Sequence, residues 1–115
     1  MTRFHFDCAF YYVSDVKKAI SFYSEALGLR LISRDVVARF DIDGVLFELV
    51  PSPDKSKLKG DGNARLCLKV DDISEAVEYL KTKGTHVGEI QKVERGRLAS
   101  FEDPDGNEIC LWQYD

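Results

Sequence analysis

The segment YVSDVKKAISFYSEALG, Tyr12 to Gly28, returns later in the chain as KVDDISEAVEYLKTKG, Lys69 to Gly84. Val13 aligns with Val70, Asp15 with Asp72, Val16 with Ile73, Ala19 with Ala76, Ile20 with Val77 and Phe22 with Tyr79. A one-residue gap then brings Gly28 onto Gly84. Such self-similarity fixes the organisation of a chain before any single element is assigned.

Each copy is a helix with marked ends. Val16, Ala19, Ile20, Tyr23 and Leu27 follow the i, i+3, i+4, i+7 spacing of an amphipathic helix, as do Ile73, Ala76, Val77 and Leu80. Asp15 and Asp72 stand where a carboxylate caps the first free amides, and Gly28 and Gly84 suit the left-handed residue that ends a helix. Strands precede both helices, FDCAFYYV ending at Val13 and ARLCLKV ending at Val70. LRLISRD, VVARFDI and VLFELV follow the first helix, the last two joined by Asp43-Gly44, a strong hairpin signal. THVGEI, GRLASFE and EICLWQY follow the second, the last two joined by DPDGN. Repeats over residues 1–51 and 64–115 are thus joined by a Pro-, Gly- and Lys-rich linker, residues 52–63. The pattern is βαβββ twice, an α+β chain read as a single domain, residues 1–115, whose halves must pack together or exchange with a partner chain because neither sheet buries itself alone.

Composition limits the partners. The 115 residues are 44% apolar and 31% charged, with net charge −4, so no basic excess points to nucleic acid or an anionic membrane. Asp7 interrupts the first apolar run, against a signal peptide, and no run nears the roughly 18 apolar residues of a membrane span. Cys8, Cys67 and Cys110 are an odd number without metal-type clustering, which fits a reduced, cytoplasmic location.

VSDVKKAISFYSEALG and FEDPDGN together resemble the vicinal oxygen chelate superfamily, which includes glyoxalase I, bleomycin-resistance proteins, extradiol dioxygenases and fosfomycin-resistance enzymes. The resemblance covers essentially the whole chain. It implies tandem βαβββ modules forming a curled mixed-sheet funnel with the helices on the convex side. Strand alternation then divides the side chains. Ala9, Tyr11, Val13, Phe47, Leu49, Leu66, Leu68, Val70, Ile109 and Leu111 are expected to face the helices. Cys8, Phe10, Tyr12, Leu46, Glu48, Val50, Arg65, Cys67, Lys69, Glu108, Cys110 and Trp112 are expected to face the funnel.

Metal-dependent members of that superfamily hold a divalent ion with one His or Glu from each of four strands. The matching positions here are Cys8, Glu48, Arg65 and Cys110, and only Glu48 keeps the usual type. A guanidinium has no lone pair to donate and supplies the positive charge itself. The favoured reading is therefore no metal, with Arg65 facing Glu48 as an ion pair. The alternative is one divalent ion, Zn or else Ni, Mn or Fe, on Cys8, Glu48 and Cys110.

The remaining candidates are plainer. Cys67 reads as core or funnel-wall packing, His5 and His86 as non-ligating, and Lys55, Lys57 and Lys59 as a solvated loop or a flap. Phe10, Tyr12, Leu46, Val50 and Trp112 with a few charges make a pocket for a small aromatic or anionic molecule, with Arg65 and Lys69 as its cations. The resemblance also implies a homodimer. The expected function is thus small-molecule binding. The alternative is a metal-dependent lyase, isomerase or dioxygenase with Glu48 as ligand and base, and a third option is thiolate chemistry at Cys8 or Cys110 beside Arg65.

Overall fold

Two copies of one strand order make up the computed structural model, which describes residues 3, 5–54 and 65–115. The chain divides into two units, Met1–Leu58 and Lys59–Asp115. In the first, β1 (Ala9–Val13) leads into α1 (Val16–Ser21), then β2 (Arg30–Arg34), β3 (Ala38–Ile42) and β4 (Val45–Pro51). Its sheet runs β1-β4-β3-β2, with β1 and β4 parallel and the other neighbours antiparallel. The second unit repeats this with β5 (Leu66–Lys69), α2 (Ile73–Thr82), β6 (Gln91–Val93), β7 (Gly96–Glu102) and β8 (Glu108–Tyr114), ordered β5-β8-β7-β6. This is the expected pair of βαβββ modules, α+β with two mixed four-stranded sheets. The Lys55, Lys57 and Lys59 run lies outside the described residues. Among those described, no helix is long and apolar enough to cross a membrane.

The helix starts are as the sequence marks them. Asp15 Oδ1 accepts the Lys18 amide and Asp72 Oδ1 the Glu75 amide, both at 3.1 Å. Gln113 Oε1, reaching over from β8, accepts the Ile73 amide at 2.8 Å and ties α2 to its sheet. The helices differ in the middle. After Ser21 the first continues as a π-helical turn over Phe22–Ala26, which takes up the one-residue gap between the repeats. Gly28 (φ 69°) and Gly84 (φ 79°) then both adopt the left-handed conformation that ends the helix.

Each core lies between one face of a sheet and its helix. Val13, Ala19, Tyr23, Phe40, Phe47 and Leu49 are buried in the first unit. There Tyr23 and Tyr11 place their rings 5.4 and 5.7 Å from that of Phe47. Ile73, Leu80, Ala99, Phe101, Ile109 and Leu111 do the same work in the second. Alternation holds for every helix-facing residue named above except Ala9, which is exposed at the start of β1.

The turn between β7 and β8 explains its own composition. Asp103, buried, accepts the Asp105 and Asn107 amides at 2.9 Å with Oδ1 and the Asn107 side-chain amide at 2.9 Å with Oδ2. Gly106 takes φ 82°. The turn so made fixes the pairing of Glu102 with Glu108 and of Ser100 with Cys110.

One strand is misplaced by the sequence. THVGEI (85–90) forms no strand; its only ladder-like contact is the Gly88 amide donating to Ser100 O at 2.9 Å. β6 instead occupies Gln91–Val93, paired with Gly96–Leu98 around a tight turn at Glu94-Arg95. Arg95 adopts φ 71° there, a left-handed conformation for which its side chain gives no warning.

Candidate functional site

The face of each sheet turned away from its helix collects the polar and aromatic residues. On the first unit, register places Phe10 beside Glu48 on β4, and Glu48 beside Arg39 on β3. Phe10 and Tyr12 are exposed and meet edge to face with ring centroids 5.2 Å apart. Leu46 and Glu48 are half-buried on the same face, and Cys8 lies one residue before β1. Expected pocket residues Cys8, Phe10, Tyr12, Leu46 and Glu48 thus share one surface.

Glu48 is held from two sides. Its Oε2 lies 3.3 Å from Arg39 Nε, and its Oε1 accepts a weak hydrogen bond from the Cys8 thiol at 3.6 Å. Arg39 also reaches Asp35 at 3.2 Å, so one guanidinium bridges two carboxylates. Asp35 is pulled below the usual carboxylate range, first by the Val37 amide and then by Arg39. The Cys8 thiol moves the other way. Desolvation raises it most, followed by the negative charges of Glu48 and Asp7, so it stays protonated at neutral pH.

Arg65, Cys67, Lys69, Cys110 and Trp112 share the helix-free face of the second sheet, with Cys67 opposite Cys110 and Lys69 opposite Trp112. Arg65 Nε meets Glu108 Oε2 at 2.7 Å. Trp112 stacks edge-on against Tyr114 at 5.5 Å, and its Nε1 is buried with no hydrogen-bond partner among the described residues. His5 and His86 are both exposed.

Within each sheet the structure adds an ion pair that the sequence reading did not name. The cation facing Glu48 in its own sheet is Arg39, and the carboxylate facing Arg65 is Glu108; each ion pair closes between adjacent strands, where registered side chains meet without spanning any distance. The Asp43-Gly44 turn carried the signal for Arg39, because a two-residue hairpin pairs positions symmetrically about itself. Cys67, expected as core or funnel-wall packing, is exposed on the helix-free face beside Cys110.

The four ligand positions divide two to a unit, Cys8 and Glu48 against Arg65 and Cys110. This set does not fit a divalent centre of the usual kind. One member cannot donate, one carboxylate is already neutralised by a guanidinium, and one thiol is driven toward its protonated form. A cavity of about 690 Å³ opens elsewhere, at the start of α2, lined by Lys69, Asp71, Asp72, Glu75 and Tyr79 among others. Four of its seven lining residues are charged, more than the sparse polar groups usual in a small-molecule site.

A family model for the Glyoxalase/Bleomycin resistance protein/Dioxygenase superfamily matches residues 5–111. The chain belongs to this superfamily. Within it, a lactoylglutathione lyase from Neisseria meningitidis is 30% identical over 112 residues, covering 84% of this chain and 81% of that protein. A lactoylglutathione lyase from Arabidopsis thaliana is 26% identical over 118 residues, and the chain spans only 42% of its length. Among solved structures, TnmS3, an antibiotic binding protein from Streptomyces sp. CB03234, is similar with a TM-score of 0.77 and 30% identity, covering 100% of this chain and 99% of that one. The superfamily thus supplies neighbours of both kinds, one that binds and several that catalyse.

Proposed function

We propose that this chain binds a small aromatic or anionic molecule on the helix-free faces of its sheets, as a homodimer and without the divalent ion of its enzymatic relatives. The observation that carries this reading is the Arg39–Glu48 ion pair. It neutralises the single family-type ligand and leaves Cys8, Arg65 and Cys110 as a poor donor set. The similarity to an antibiotic binding protein over the whole chain favours the same side. Phe10 and Tyr12 offer ring faces, and Lys69 beside Trp112 offers a cation next to an indole.

The lyase relatives favour a second reading, in which Glu48 serves as both ligand and base. One set of measurements separates the two. Trp112 is the sole tryptophan, so its fluorescence reports on this surface alone. Titration with 2-naphthoate, an aromatic anion, should quench it saturably, and Lys69→Ala should weaken that binding about tenfold, roughly 1.4 kcal/mol. Light scattering should give twice the chain mass. One equivalent of tightly held divalent metal, together with metal-dependent lactoylglutathione lyase activity, would establish the second reading instead.

A further inference from the structure

Cys67 and Cys110 stand in register on the parallel strands β5 and β8, and Cys110 in turn opposes Ser100 on β7. The three side chains form one transverse row on the helix-free face of the second sheet. Cys110 Sγ lies 3.5 Å from Ser100 Oγ, and none of the cysteines is in a disulfide. The Cys67 thiol is raised, by burial first and by its neighbour Cys110 second, so a metal binding there must displace its proton. The equivalent row of the first unit reads Phe10, Glu48, Arg39. The dithiol therefore belongs to the second unit only.

Strand geometry selects what can join these sulfurs. Adjacent strands lie about 4.8 Å apart, whereas a disulfide asks for Cβ atoms about 3.5–4.5 Å apart. A direct S–S bond would have to draw β5 and β8 together. A single atom seated between the sulfurs asks for less: two metal–sulfur bonds of about 2.3 Å laid end to end span about 4.6 Å. Zinc would require four donors, and no group of three His, Cys, Asp or Glu among the described residues could supply them. An ion content with two thiolates is soft and closed-shell, which selects monovalent copper.

We propose that Cys67 and Cys110 bind one Cu(I) ion as a two-thiolate bridge across β5 and β8. Each thiol gives its proton to solvent as its sulfur–copper bond forms, and the copper keeps its oxidation state. The product carries one negative charge. Lys69 follows two residues after Cys67 on the same face and offsets it, while the Ser100 hydroxyl sits against the Cys110 sulfur. This site shares Cys110 with the superfamily's divalent position and Lys69 with the proposed aromatic ligand, but Cys67 occupies none of the four ligand positions.

The test is an anaerobic titration of the fully reduced protein with Cu(I) in competition with bathocuproine disulfonate. One equivalent per chain is expected, with Cys67→Ser and Cys110→Ser each weakening binding at least a hundredfold and Cys8→Ser leaving it unchanged. Wild-type affinity in Cys67→Ser would overturn the proposal. So would equal losses in Cys8→Ser and Cys110→Ser, which would place the ion on those two residues. Should a serine variant fail to fold, the wild-type protein decides alone. Cu(I) should protect Cys67 and Cys110 from N-ethylmaleimide while Cys8 is not protected, as read by peptide mass spectrometry, and any other protection pattern refutes the site.

Discussion

The Arg39–Glu48 pair should be worth about 1–2 kcal/mol of coupling. At 3.3 Å and an effective dielectric of about 20, the gross attraction is about 5 kcal/mol. Desolvation of both groups opposes it. The side chains are 33% and 19% exposed, between the fully solvated limit of about 0–1 kcal/mol and the buried limit, where removing one partner costs about 3–5. The measurement is a double-mutant cycle of Arg39→Ala, Glu48→Gln and the double variant, followed by urea unfolding. Arg39→Ala alone should cost slightly more than the coupling, because it also releases Asp35; the cycle cancels that part. A coupling below about 0.3 kcal/mol would refute the reasoning. It would mean that solvent already screens Glu48, leaving the carboxylate available to a metal and removing the main support for the metal-free reading.

Two further outcomes follow from local geometry. The Cys8 thiol should react with iodoacetamide at pH 7.5 more slowly than an ordinary thiol, and Glu48→Gln should speed it by removing a charge that, after desolvation, raises its pKa. A slower reaction in Glu48→Gln would contradict that cause. Gly96→Ala should destabilise by about 1–3 kcal/mol or more, since a Cβ there would stand 2.2 Å from the Gln113 carbonyl oxygen. Gly88→Ala, with its nearest neighbour at 3.5 Å, should stay within about 0.5 kcal/mol of wild type. Both are read from thermal melts, and equal effects would show that β7 and β8 part easily.

What was legible in the chain depended on how local the determining interaction is. Helix starts were written in Asp15 and Asp72, and the β7–β8 register in the Asp103 turn, because each rests on contacts within a few residues. Arg39 was equally accessible through Asp43-Gly44, whose two-residue turn sets it opposite Glu48 across the hairpin. β6 was hidden because Arg95 takes a left-handed conformation that its residue type does not announce. The pairing of Cys67 with Cys110 has no local signal at all. Parallel strands are joined through a helix and two further strands, so no turn sets their register, and only the assembled sheet reveals which side chains meet.

The π-helical turn at Phe22–Ala26 bears on how the two units came to differ. Adding one residue to an α-helix rotates everything beyond it by about 100°, enough to carry an apolar stripe off its sheet. A wider turn confines that surplus to a single bulge. Tyr23 and Ala26 remain buried, and Gly28 still releases the chain toward β2. The first unit thus carries a length change that its sheet never registers, and helices of unequal length sit above sheets of the same strand order. Grafting the α2 segment in place of the first helix should therefore shorten it by a residue without disturbing β2.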